Sequence, residues 1–178
     1  DLSSTFEVLL RSLEESLPLD FACVCLPSES GEFLTVAAVG RRGVGRADPV
    51  GLRESARVAV DENGLSRCLR GQLVYEPNTT QVHFPFAQRL ASAGLHALVL
   101  APMSVESQVF GILIAARTEP DAFASADCEF LRQLGDQVGL AAHQSQLYGA
   151  LQQAYEDLRQ SQESAMQHER LRALGLRT

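Results

Sequence analysis

The chain lacks a Cys-x-x-Cys pair, and its four cysteines (Cys23, Cys25, Cys68, Cys128) show no disulfide-framework spacing. Zinc-ribbon and disulfide-scaffold readings therefore drop out, and a reducing cytoplasm is the expected setting. No apolar run approaches transmembrane length, and the opening DLSSTFEVLLRSLEES has neither the basic start nor the apolar core of a signal peptide. The charge balance lacks a basic excess. A formal net charge of -7 disfavours nucleic acid or an anionic membrane as partner. Internal repeats and low-complexity segments are also missing. What remains is 178 residues, 46% hydrophobic and 21% charged, which suits one globular domain plus an extension.

Phe6, Leu9, Leu10, Leu13 and Leu17 fall on one face of a helix that Pro18 ends. Phe21–Leu26 and Phe33–Val39 flank a Pro-Ser-Glu-Ser-Gly-Glu turn and predict a hairpin. Between Gly40 and Gly51 the sequence GRRGVGRADPVG suggests a phosphate cradle only superficially. It has no GK[ST] and no dinucleotide fingerprint, so it reads as a loop. A short extended piece at Arg57–Val60 follows, then a one- to two-turn helix at Leu65–Arg70 closed by Gly71, and a short strand at Leu73–Tyr75. A short helix is expected at Ala87–Ala93. Leu95–Met103 and Val109–Ala116 read as two strong strands, joined by a five-residue link, Ser104–Gln108. Helix, hairpin, irregular middle, hairpin, helix makes an α+β domain with a mostly antiparallel sheet.

No proline follows Pro120, and residues from Ser125 to Gly175 favour helix almost throughout. Ser125 is the expected cap, which puts Cys128 at the third helical position. An unbroken helix here spans roughly 75 Å at 1.5 Å per residue, longer than a domain of this size is wide. Leu131, Leu134, Val138, Ala141 and Ala142 make an apolar face suited to a sheet, and Gly135 and Gly139 allow another backbone to approach. Further along, Leu151, Leu158 and Ala165 repeat every seven residues, with Leu147, Ala154 and Ser161 as a second series. That is a polar, marginal two-helix seam, and it predicts a parallel homodimer.

The run ENGLSRCLRGQLVYEPN, then GLHALVLAPM, then VFGILIAAR resembles the GAF-domain family. Its characteristic positions hold Gly64, Leu65, Gly71, Val74, Leu98, Pro102, Met103, Phe110, Gly111 and Ile112, and the resemblance covers about Phe6 to Leu147. It implies a six-stranded antiparallel sheet with the first and last helices on one face. Loops on the other face would form a small-molecule pocket. The stretch LQQAYEDLRQSQESAMQHERLRALG resembles the linker entering the phosphoacceptor region of a bacterial sensor histidine kinase. The chain carries no phosphoacceptor histidine box and no ATP-binding motif. The two resemblances divide the chain into a GAF sensory domain, 1–147, and a helical signalling linker, 148–178. Such a module would pass ligand or partner binding along a dimeric helix to a kinase core. Two alternatives are a ligand-free dimerisation module and a haem- or redox-sensing domain.

Family position makes Cys68, Tyr75, His83, Phe84, Phe86, Arg89 and His96 the candidates to line the pocket. His83 and His96 are the two that bear on haem; His143 and His168 fall on the long helix. Cys68, between Arg67 and Arg70, is the one thiol whose setting suggests a lowered pKa and a redox role, although burial in a small helix explains it more simply. Cys23 and Cys25 face the same side of a strand, but no further ligands complete a metal site. Leu69 follows Cys68 where bilin-binding members commonly have histidine. The complete absence of lysine removes the N-K-x-F-x-D-E signature of cyclic-nucleotide binders. The cysteine arrangement of the free methionine sulfoxide reductase branch is also missing. No catalytic residue, metal site or cofactor is assigned from the sequence.

Overall fold

A computed structural model describes residues 2–175. The chain separates into two compact units, Asp1–His143 and Gln144–Thr178. Residues 176–178 of the expected linker lie outside the described residues.

The first unit is built on six strands: β1 (Phe21–Pro27), β2 (Phe33–Val39), β3 (Arg57–Ala59), β4 (Val74–Glu76), β5 (Ala97–Val105) and β6 (Gln108–Arg117). They form one antiparallel sheet in the order β3-β2-β1-β6-β5-β4. The central strands are apolar on both faces because both faces are covered. One face presents small residues, Ala22, Ala97, Ala101 and Ala115, and carries α1 (Leu2–Ser16) and the first turns of α5 (Ser125–Ala173). Small side chains let helices sit close. The other face presents Phe21, Leu34, Leu98, Leu100, Ile112 and Ile114 under the connecting segments.

Those segments hold α2 (Val44–Val50), α3 (Ser66–Leu69) and α4 (Pro85–Ser92). The expected loop at 40–51 is a 3₁₀ turn followed by α2. Glycine and Pro49 disfavour helix locally, but Ala47 and Val50, three apart, bury against the sheet and outweigh that cost. The glycines here serve packing. A Cβ at Gly43 would stand 2.5 Å from the Phe21 ring, and Gly51 closes α2 in the left-handed conformation at φ 74°.

The same corner depends on Glu14. Its carboxylate is buried and accepts hydrogen bonds from the backbone N–H groups of Arg41 and Arg42, each 2.9 Å. Glu14→Ala would leave two donors unpaired under α1. The expected loss is about 2–3 kcal/mol in urea denaturation. Unchanged stability would show that water replaces the carboxylate without cost.

Two local expectations shift. The β5–β6 hairpin closes through two residues, Glu106 and Ser107, at φ 51° and 67°. Both strands run further than their apolar cores, and positive φ at both central residues suits the right-handed twist of a tight hairpin. At the start of α5 the cap is Ala124, not Ser125. Asp127 then occupies the third helical position, and its carboxylate accepts from the Ala124 N–H at 2.9 Å.

In the second unit α5 continues without a break to Ala173. Leu147, Leu151 and Leu158 are more than half exposed, and Ala154, Ser161 and Ala165 are exposed on the same stripe. No described helix is long and apolar enough to cross a membrane.

Candidate functional site

The face opposite α1 carries the site that the pocket reading points to. Leu98, Leu100 and Val74 form its floor, α3 and α4 form its walls, and Phe84 roofs it. Phe84 is the residue before α4 and remains 39% exposed. Its ring lies on Gly64, where an added Cβ would approach ring carbons to 2.4 Å. The cavity is only about 10 Å³. At its rim the half-exposed Arg67 pairs with Glu76 at 3.2 Å.

Of the sequence candidates, Phe84 and the buried Phe86 meet at this cavity. The others are dispersed. Arg89 donates from Nε to the Val50 carbonyl at 3.3 Å, tying α4 to α2, and His83 is exposed before α4. Tyr75 lies on the helix-covered face, edge-on to Phe123 with ring centroids 6.0 Å apart. His96 lies at the mouth of β5, its Nδ1 2.7 Å from the Thr118 carbonyl, in an open groove with Asn78, Thr80 and Glu119. The carbonyl can only accept, so Nδ1 is the donor in that contact. Among the described residues no group of three or more histidine, cysteine or acidic side chains is placed to hold a metal.

Cys68 is fully buried in the core, and burial pushes its thiol up to about 12. Arg67 is turned to Glu76, and Arg70 is exposed. Burial also raises Cys23 well above the usual thiol range, reinforced by Cys25, whose sulfur stands 4.0 Å away. Cys128 is half-buried and is raised by burial, then by Asp127. A folded-state pKa above the unfolded one favours the neutral thiol. The stability this contributes is whole below the unfolded value and drains away as pH rises from about 9 to about 12. Native protein at pH 8 is expected to take iodoacetamide at Cys128 first and to leave Cys68 unlabelled, as peptide mass mapping would show. Fast labelling of Cys68 would revive a redox role for it.

Sequence reasoning passed over Asn63. It sits 7% exposed at the back of the cavity, Nδ2 donating to the Ala59 carbonyl at 2.7 Å. Its Oδ1 is buried without a hydrogen-bond partner. The Asp-Glu-Asn-Gly run resembles an ordinary turn, and nothing local marks Asn63 as the inward-facing member.

The second notable geometry is on the opposite face, where α5 meets the β5–β6 hairpin. A Cβ at Gly135 would lie 2.5 Å from the Pro102 carbonyl oxygen, and one at Gly139 within 2.7–2.9 Å of Ser104 backbone atoms. Beside Ser104 the ladder slips, pairing Met103 with Gly111 and Ser104 with Val109, so Phe110 is the extra residue. A bulge re-aims its side chain. The Phe110 ring packs edge-on against His143 of α5, centroids 5.4 Å apart.

The GAF-domain profile matches residues 1–142. No curated protein matches the sequence. Among solved structures, the chain is similar to a domain assigned to a two-component sensor histidine kinase of Sinorhizobium meliloti 1021, at 17% identity and TM-score 0.67, covering 84% of this chain and 96% of that one. The second GAF domain of DevS from Mycobacterium smegmatis aligns at 18% identity and TM-score 0.65, over 85% and 99% of the two chains. The type II free methionine-R-sulfoxide reductase of Thermoplasma acidophilum aligns at 15% and 0.62, over 81% and 96%. Identities this low speak to fold alone, and the fold is shared by an enzyme and by a domain from a sensor histidine kinase. By the match over residues 1–142, with the six-stranded sheet and its flanking helices, the chain belongs to the GAF-domain family.

Proposed function

We propose that this chain is the sensory module of a cytoplasmic two-component histidine kinase and that it signals as a homodimer through α5. The observation that carries this reading is the grip of the β5–β6 hairpin on that helix. Gly135 and Gly139 seat α5 on strand backbone, and the bulged Phe110 holds His143. Ile112 and Leu100, on the same two strands, face the other side of the sheet. A change of packing on that side therefore has a short route through two hydrogen-bonded strands to the helix. Close-packed interfaces of this kind switch between discrete arrangements rather than deform smoothly.

Beyond His143 the exposed Leu147, Leu151 and Leu158 edge needs a partner helix, because a lone helix leaves those side chains in water. Ala154, Ser161 and Ala165 thin the seam. A marginal seam allows two registers or rotations of similar energy, which a switch requires. The kinase context rests on the likeness to the Sinorhizobium domain and on the linker-like sequence. Sedimentation equilibrium of residues 1–178 tests the dimer directly. A concentration-dependent monomer–dimer equilibrium is the expected result, and a monomer at every concentration would falsify the paired-helix mechanism.

A further inference from the structure

We infer that the cavity under Phe84 is the closed form of a site for a small, neutral, single-ring aromatic ligand that donates a hydrogen bond to Asn63. The inference rests on reading this domain as a sensor, and it names the chemistry of the signal.

Asn63 supplies the polar determinant. Its Nδ2 is committed to the Ala59 carbonyl, which can only accept, so the orientation of the amide is fixed with Oδ1 as its free end, in a residue that lines the cavity. That oxygen is buried and unpartnered, and a buried acceptor left so is costly. Only a donor satisfies it. An O–H or N–H on the ligand does so; a ligand offering only acceptors would add a second unpaired group.

Phe84 supplies the shape. Its ring covers Gly64 and is 39% exposed; the apolar contact it gives up on swinging out is regained by a ring of the same size in its place. Gly64, at φ 71°, has no side chain to fill the gap. The space vacated is the size and thickness of one ring, adjoining the existing cavity and floored by Leu98 and Leu100. Charge is excluded by the rim. Arg67 and Glu76 neutralise each other, so the rim offers no net charge to match a charged ligand.

Phenol is the probe, with anisole as the same ring and oxygen without the donor. Both are titrated into ¹⁵N-labelled wild-type protein and Phe84→Ala, reading the Asn63 side-chain amide. Phenol is expected to bind Phe84→Ala at least about tenfold more tightly than wild type, since no ring need be displaced, and about tenfold more tightly than anisole. Adding Asn63→Leu to Phe84→Ala should erase the preference for phenol; if that variant does not fold, the phenol–anisole ratio on Phe84→Ala decides alone. Equal affinities for the two probes, or no shift at Asn63 with phenol, would overturn the proposal. Either failure leaves the sedimentation result untouched, so it is separable from failure of the dimeric-sensor reading.

Discussion

Gly139→Ala is expected to destabilise the protein by about 2 kcal/mol, whereas Gly149→Ala, ten residues along the same helix, stabilises it by about 1 kcal/mol. Helix propensity favours alanine equally at both positions. The difference is the surroundings. At Gly139 the new Cβ would stand 2.7–2.9 Å from the oxygen, nitrogen and carbon of Ser104, all backbone of β5 where it pairs with β6 at Val109. At Gly149 nothing lies within 4 Å. Overpacking costs typically 1–3 kcal/mol, and this contact belongs near the top of that range because no side chain can turn aside. Subtracting the propensity gain leaves the quoted loss. Gly135→Ala meets the Pro102 carbonyl and should behave alike. The double substitution should cost less than the sum, since once α5 lifts from the hairpin the second methyl finds room. Urea denaturation of the four variants reads this directly. Equal stabilisation by Gly139→Ala and Gly149→Ala would mean that α5 is not seated on β5.

Those two glycines also show how far sequence reasoning reached. Their spacing announced a close backbone approach, and the apolar face around them announced a sheet; the identity of the partner strand depended on tertiary arrangement. Both hairpins were legible because their strands are predominantly apolar, as a sheet covered on both faces demands. The segment 40–51 was not, since its glycines and Pro49 speak against helix until Ala47 and Val50 find the core. The cap of α5 slipped by one residue because Ser125 and Asp127 both carry capping chemistry, and only geometry chooses between them. The candidate site was the least legible part. Phe84 and Phe86 were placed by family position and do meet at the cavity, while Tyr75 points to the opposite face because strand side chains alternate. Asn63 was invisible. A turn asparagine that aims inward looks, in sequence, like one that aims at water.

Filling the seam should have the largest effect on assembly. Ala154→Leu with Ser161→Leu completes the series begun by Leu147, and each leucine removes apolar surface from water on both helices of a pair. Burial of a leucine contributes about 1.5–3 kcal/mol. Two substituted layers should therefore tighten the dimer by at least about a hundredfold in dissociation constant, even after the loss of whatever the small residues permitted. The opposite change, Leu151→Glu with Leu158→Glu, puts like charges face to face at two layers and should leave a monomer in sedimentation equilibrium, with the first unit still folded because both residues lie outside it. The filled seam carries a second consequence for the parent kinase. A seam deep in one well no longer responds to a small push from the hairpin, so autophosphorylation should become fixed at one level whatever stimulus the intact protein normally follows. Tight dimers that remain regulated would sink the switching role of the polar layers while leaving the dimer itself standing. Loss of regulation without tighter association would instead place the switch at the grip of Phe110 on His143 and of Ser104 on Gly139, upstream of the seam.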